Sequence, residues 1–431
     1  MFQPTEFFSG LLSTLLDRTQ SADARIVRRP IRELCGALMS SRGEVSGVRL
    51  AQEVLARYRI MTETERLDFF RWLTEDMDLD TTVLAQAVAA YGREPTPATL
   101  AAVTHAAEPR RRELLRRINQ APDATNALVK MRLDLLTLTP AAPEIARADL
   151  DFVKLFETWF NRGFLVLRPI NWRSPANVLE KIIDYEAVHA IHGWGDLRRR
   201  LEPPDRRCFA FFHPAMPEEP LIFVEVALAA GIPGSIQALL SADRAPIDPA
   251  QANTAVFYSI SNCQQGLRGI SFGNSLIKQV VEELSHELPH LQNFVTLSPI
   301  PGLARWLRDR PEAGAALEAA EAADLAVLAE LGDDLRRLAA VYLLEARRAD
   351  GLPLDPVARF HLGNGALVHD VHALADTARN GLAQSCGVMV NYLYERDTVE
   401  ENHESFASRR IVVASKSMRA LLKPKAKSRR L

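Results

Sequence analysis

Cysteine is scarce in this 431-residue chain, and the four present, Cys35, Cys208, Cys263 and Cys386, form no C-x-x-C pair. Such spacing offers neither a zinc cage nor a disulfide framework and reads as reduced, mostly buried thiols of a cytosolic protein. Long apolar runs are missing as well. No stretch reaches the roughly 18 residues that a membrane-spanning helix needs. Nor is there an excess of charge. The 52 Lys plus Arg stand against 54 Asp plus Glu, a formal charge of −2 that argues against general nucleic-acid binding. The first basic residue is Arg18, so the basic start of a signal peptide or organelle presequence is lacking and a cytoplasmic protein is expected. The closing KPKAKSRRL reads as a solvated basic end.

What is present is apolar residue, 47% of the chain, enough for a sizeable core and for two or three domains at this length. Residues 1–155 read as helices. RIVRRPIRELCGALM, VRLAQEVLARYRIM, ERLDFFRWL, TTVLAQAVAAY, ELLRRINQ and ATNALVKMRLDLLTL repeat apolar residues every three or four positions. Thr62 with Glu65 has the spacing of a capping box. Breaks fall at SSRGEVSG and REPTPATL. No catalytic grouping of polar residues occurs in this half, which reads as an all-α bundle suited to packing or oligomerisation. From about 156 to 431 the pattern changes. FLVLRPINW, CFAFFHP, LIFVEVALA, TAVFYSISN and NFVTLSPIP are short β-branched and aromatic runs, read as strands. Helical stretches separate them: PANVLEKIIDYEAV, the segment after residue 275, and one long helix in EAADLAVLAELGDDLRRLAAVYLLEARR. The fold expected for 156–431 is α/β or α+β.

Three glycines, Gly266, Gly269 and Gly273, stand between the strand TAVFYSISN and the helical SLIKQVVEEL. A glycine turn at a helix start can cradle a phosphate through backbone N–H groups and the helix dipole. The Walker signature is absent, since no Gly-Lys-Ser/Thr occurs, and the G-x-x-G-x-x-x-G spacing is not the dinucleotide fingerprint. On spacing alone, a phosphate cradle and an ordinary tight turn stay equally open.

Longer blocks carry more information. FYSISNCQQGLRGISFGNSLIKQVVEELSHELPHLQNFVTLSPIPG (257–302), FHLGNGA (360–366) and SCGVMVNYLY (385–394) resemble the malonyl-CoA decarboxylase family. So do the upstream SPANVLEKIIDYEAVHAI and GWGDLRRRLEPPDRRCFAFFHP, and the resemblance runs from about 156 almost to the C-terminus. It implies a GNAT-like catalytic domain at 156–431 and a helical domain at 1–155 that mediates homo-oligomerisation, often to a tetramer. It implies that Gln265, Gly266, Leu267, Arg268, Gly269, Ile270, Ser271, Phe272 and Gly273 receive the CoA pyrophosphate. The usual pattern of that loop is Gln/Arg-x-x-Gly-x-Gly/Ala. Here Arg268 to Gly273 reads RGISFG, with Ser271 where the first glycine is usual.

The implied reaction is loss of CO2 from malonyl-CoA to give acetyl-CoA, in fatty acid or malonate metabolism. The thioester carbonyl is itself the electron sink, so no metal or organic cofactor is required in principle, and CoA belongs to substrate and product. The resemblance points to His361 as the acid that protonates the enolate and to Ser298 as the hydroxyl paired with it. Ser259, Tyr394 and Asn364 are implied around the acyl group or the histidine. Asn364 and Gly365 suggest a tight turn at His361. Ser298 ends a strand before a proline-rich turn, and no G-x-S-x-G elbow surrounds it, so no covalent acyl intermediate is expected. His369 and His372 could share a helix face, yet two ligands without a third make a poor metal site. Other readings are an acyltransferase that passes the acyl group to an amine, and a non-catalytic scaffold that senses CoA thioesters.

Overall fold

The computed structural model describes residues 29–40, 43–270, 272 and 276–423. Ser271 and Gly273 of the glycine turn, and the basic tail from residue 424, lie outside the described residues. The chain divides into two compact units: residues to Phe164 with the loop that begins at Gln264, and the remainder from Leu165.

The first unit is helical: α1 (Ile31–Ser40), α2 (Glu44–Arg59), α3 (Glu63–Glu75), α4 (Thr81–Arg93), α5 (Pro97–Ala106), α6 (Arg110–Ile118), α7 (Ala124–Leu138) and α8 (Ala146–Trp159). Local chemistry sets the boundaries. Thr62 and Glu65 form the expected capping box before α3, and Thr96 with Pro97 at the first helical position starts α5. Leu34, Val54, Phe70, Leu114, Leu128 and Phe156 are buried in its core. Arg111 of α6 is buried there too, its charge met by Asp151 of α8 at 2.5 Å and by Asp78 at 3.0 Å. Helices α4 and α5 bury no residue and leave Val83, Val88 and Leu100 about half exposed.

The glycine loop packs in this unit. Gln265–Leu267 form a short 3-10 turn. Arg132 of α7, 2% exposed, donates to the carbonyls of Gly266 at 2.8 Å and Arg268 at 2.9 Å, and its other nitrogens meet Asp149. Gly266 lies so close to α7 that a Cβ would sit 2.1 Å from the Val129 carbonyl oxygen, and Gly269 has φ +83°. One glycine thus allows close packing and the other a left-handed turn.

The second unit is built on a mixed sheet of β1 (Val166–Ile170), β2 (Arg206–Phe212), β3 (Ile222–Ala229), β4 (Thr254–Asn262), β5 (Asn293–Thr296), β6 (Ser298–Pro299), β7 (Leu367–His372) and β8 (Met389–Leu393). Strands β1 to β4 pair antiparallel in sequence order, β4 and β5 pair parallel, and β8 pairs with β5, β6 and β7. The nearly continuous apolar character of β2 and β3 follows from burial on both faces. α9 (Ala176–Tyr185) and α10 (Trp194–Leu201) cover one face, where Leu179, Ile182 and Leu197 meet Ala210 and Phe223. On another core surface, Val256, Tyr258, Val295 and Met389 pack together. Between β4 and β5 runs α11 (Leu276–Glu287). The resulting order of strand, loop and helix is the one the family resemblance implies, and a parallel strand follows it.

Two expectations change. The long helix expected within 321–348 is broken near its start, where Ala323 takes φ 54° and Asp324 caps a new helix by accepting from the N–H groups of Ala326 and Val327, and again at Leu331, which ends that helix and precedes the next. His369 and His372 lie on strand β7 instead of a helix, paired with β8.

Gly266→Ala is expected to lower unfolding stability by about 1–3 kcal/mol, the usual cost of overpacking a fitted contact. Urea denaturation checks this, and a midpoint equal to wild type would mean the loop does not pack on Val129.

Candidate active site

The site begins where a parallel pairing stops. Strands β4 and β5 are in register only from Thr254 opposite Asn293 to Phe257 opposite Thr296. Beyond that point β4 continues along β3, while the chain after β5 crosses to β8 through Ser298 and Pro299. A cavity of ≈ 250 Å³ opens in this unit, walled by Phe257, Ile260, Asn262 and Phe360 together with Ser298 and His361.

His361 lies in the last turn of α12 (Pro356–Gly363), not in the turn after it. Asp355 caps the start of this helix through the Ala358 N–H, and Pro356 occupies its first position. At the other end, the Asn364 side chain donates to the Phe360 carbonyl at 2.7 Å. Asn364 therefore finishes the helix that carries His361 and does not touch the ring or line the cavity.

The imidazole is held on three sides. Its Nε2 is 3.1 Å from Ser298 Oγ, its Nδ1 is 2.8 Å from the Tyr394 hydroxyl, and its face stacks on Tyr392 with centroids 4.6 Å apart. Ser298 in turn donates to Thr296 Oγ1 at 2.8 Å. That direction decides the others. With its proton committed to Thr296, Ser298 accepts from Nε2–H, and Nδ1 accepts from Tyr394. Burial lowers the His361 pKa to about 3, because a dry site disfavours imidazolium. Burial likewise keeps Tyr392 and Tyr394 protonated, well above the ordinary phenol range. The resting site thus holds uncharged, mutually hydrogen-bonded groups beside a largely apolar cavity, with Nε2–H of His361 the proton nearest the wall that Ser298 forms.

Ser259 is placed elsewhere. It is 1% exposed, and its hydroxyl lies 2.8 and 2.7 Å from the two oxygens of Glu186. Glu186 also accepts from the Val188 and His189 N–H groups. Ser259 therefore fastens the segment carrying Val188, a wall residue, without lining the cavity itself. The site brings together Ser298, His361 and Tyr394; Ser259 and Asn364 act one contact further out.

Sequence reasoning missed Thr296, Tyr392, Glu186 and Asp355. The first two had a readable signal, since each stands two residues before a chosen residue and alternate strand residues share a face. Asp355 before Pro356 has the form of a helix start. The link from Glu186 to the site had no local signal, because the serines it holds, Ser259 and Ser261, are 73 and 75 residues away in β4.

Among the described residues, no group of three or more His, Cys, Asp or Glu side chains could hold a metal ion. All four cysteines are free and buried. No described helix is long and apolar enough to cross a membrane.

Residues 163–431 match the family model described as the malonyl-CoA decarboxylase C-terminal domain, and residues 78–160 match the malonyl-CoA decarboxylase N-terminal domain. The mitochondrial malonyl-CoA decarboxylase of Anser anser anser is 36% identical over 72% of this chain and 69% of its own length. The Rattus norvegicus protein of the same name is 35% identical over 74% and 72%. Among solved structures, malonyl-CoA decarboxylase from Rhodopseudomonas palustris is 50% identical with a TM-score of 0.85, covering 90% of this chain and 98% of that one. The Agrobacterium vitis malonyl-CoA decarboxylase is 48% identical with a TM-score of 0.87, covering 91% and 100%.

The buried imidazole makes stability depend on pH. In the unfolded chain His361 takes a proton near its ordinary pKa of about 6.5, whereas in the fold it stays neutral to about 3. Between those values the unfolded state binds more protons, so this residue's contribution is lost as pH falls. The raised carboxyls of Glu225 and Asp355 act in the opposite sense, so the test is a difference. Urea midpoints of wild type should fall more steeply than those of His361→Gln from pH 6.5 downward. Parallel curves would mean that His361 titrates normally in the fold.

Proposed function

The chain belongs to the malonyl-CoA decarboxylase family, and on that premise we propose that it converts malonyl-CoA to acetyl-CoA and CO2 with Ser298 and His361 at the reacting atoms. The observation that supports these residues is the Ser298–His361 hydrogen bond on the wall of an otherwise largely apolar cavity.

The carboxylate-to-methylene bond breaks, its electron pair moves into the thioester carbonyl, and CO2 leaves. An enolate remains and takes a proton at carbon. The thioester supplies the electron sink, so the reaction is read as needing no metal or organic cofactor. Ser298, whose own proton goes to Thr296, polarises the site by holding the Nε2–H of His361 at the cavity wall, where it meets the malonyl carboxylate. The walls formed by Phe257, Ile260 and Phe360 favour its conversion from an anion to uncharged CO2. His361 is neutral in the free enzyme, but an anion beside it in a dry cavity favours imidazolium. As Nδ1 gains a proton, the Tyr394 hydroxyl can turn from donor to acceptor and keep the ring in place. Nε2 then passes its proton to the enolate carbon, leaving the neutral ring protonated on Nδ1, and a proton regained at Nε2 with loss of the one on Nδ1 restores the resting tautomer. One proton is drawn from solvent per turnover, which balances the loss of the carboxylate charge.

The loop Gln265–Gly273 is read as the CoA pyrophosphate site. Its support is that Arg132 draws the carbonyls of Gly266 and Arg268 toward α7, away from an anion, while the Arg268 side chain remains exposed. A homo-oligomer, with a tetramer implied by the family, is supported by α4 and α5, whose exposed Val83, Val88 and Leu100 offer apolar surface to a second copy. Four buried thiols fit a reducing compartment, read as the cytoplasm, although the goose and rat relatives are named mitochondrial.

Purified protein given malonyl-CoA is expected to release CO2 and acetyl-CoA in equal amounts. His361→Ala should lower kcat by about 10²–10⁴-fold, the range of a general acid. Free CoA with an acylated amine would instead establish the acyltransferase reading, and thioester binding without turnover the sensing scaffold.

A further inference from the structure

We propose that Thr296 is a positioning residue that sets the polarity of the Ser298–His361 pair by holding the serine proton away from the imidazole. The proposal rests on the reading of Ser298 and His361 given above and adds the group that decides which nitrogen of His361 carries its proton.

Thr296 is the last residue of β5 and fully buried. Its Oγ1 accepts two hydrogen bonds, from Ser298 Oγ at 2.8 Å and from the Tyr392 N–H at 3.1 Å. One oxygen therefore fixes both the hydroxyl that His361 meets at Nε2 and the backbone of the tyrosine on which its ring stacks. The hydroxyl is itself restrained. Thr296 is β-branched, and its carbonyl accepts from Asn391 Nδ2 at 2.8 Å. Asn391 is fully buried, and its Oδ1 is the partner of His372 Nε2.

The consequence is chemical. In a serine nucleophile paired with a base, the hydroxyl donates to the imidazole. Here the serine proton goes to Thr296, and the imidazole donates to the serine. This orientation withholds the serine from nucleophilic attack and leaves a proton on Nε2, the nitrogen nearer the cavity wall formed by Ser298. Without the Thr296 oxygen, the buried serine proton has Nε2 as its remaining partner on this network. The imidazole proton must then move to Nδ1, where it donates to Tyr394, and the acid no longer faces Ser298.

Thr296→Val keeps the size and branching and removes the acceptor, whereas Thr296→Ser restores it. Thr296→Val is expected to lower kcat for malonyl-CoA about 10–100-fold with KM within about threefold, and Thr296→Ser to stay within about threefold of wild type in both. The 15N spectrum of histidine-labelled protein, with the His361 signals identified by their loss in His361→Gln, should show Nε2 protonated in wild type and Thr296→Ser, and Nδ1 protonated in Thr296→Val. A merely structural role would not move that signature. The proposal is overturned if wild-type His361 carries its proton on Nδ1, if Thr296→Val keeps wild-type kcat, or if Thr296→Ser is as impaired as Thr296→Val. A wild-type protein that fails to decarboxylate malonyl-CoA would overturn the functional reading instead, and the tautomer measurement would still decide the polarity.

Discussion

The parting of β4 from β5 is the constraint on which the rest of the catalytic unit depends. Parallel strands that stay paired leave no space between them. These two separate after four residue pairs, and the chain beyond β5 is taken up by β8. That exchange of partner turns Ser298 toward α12 and leaves a cavity beside it. It also gives β8 two duties. Through Met389 and Val390 it holds the Ser298–Pro299 segment, and through Tyr392 and the adjoining Tyr394 it holds the imidazole. A hydroxyl on one side of the break and a histidine 63 residues later can meet because one strand supports both.

Burial of that meeting point has two opposing effects. Burial of the ring penalises imidazolium, which is why His361 is neutral at rest. The same burial strengthens each interaction with an anion once one enters. The fold offsets the first effect without introducing a fixed charge against the ring. Both ring nitrogens have partners and one face has an aromatic surface, so no polar atom of the imidazole is left unmet. On the mechanism proposed above, a permanent carboxylate against Nδ1 would hold the ring protonated and oppose its return to the neutral form after proton delivery. A tyrosine can donate or accept at the same position and leaves the charge state to be set by the substrate.

The strands of the second unit were legible because each is a compact β-branched and aromatic run, and the helices of the first because their apolar residues recur every three or four positions. Ser298 and His361 were legible as parts of long ordered blocks; neither residue announces itself by spacing. The misplaced elements share a cause. HDVH reads as readily on a helix as on a strand, and only its pairing with β8 decides between them. EAADLAVLAELGDDLRRLAA keeps helical periodicity across two breaks, because a left-handed Ala323 with the cap at Asp324, and then Leu331 between two helices, interrupt the backbone without disturbing the pattern. Ser259 was assigned to the acyl pocket from its position in a block, but the side to which a strand residue points depends on a register that includes a bulge between Glu225 and Val226.

The glycine loop shows why composition and role come apart. Glycines before a helix suggested a backbone opened for a ligand. In the fold, Gly266 is needed for contact with the Val129 carbonyl and Gly269 for a positive φ, so both are explained before any ligand is considered. The proposal of a ligand there rests on a less conspicuous feature, a buried arginine from a helix more than 130 residues earlier that takes up two of the loop's carbonyls. An anion is repelled by exposed carbonyl oxygens as well as attracted by N–H groups. A guanidinium that satisfies the oxygens from behind removes the repulsion without presenting its own charge to solvent, and Asp149 neutralises that charge in place. On the proposed reading of this loop as a pyrophosphate site, its fitness depends as much on α7 of the helical unit as on the glycines themselves.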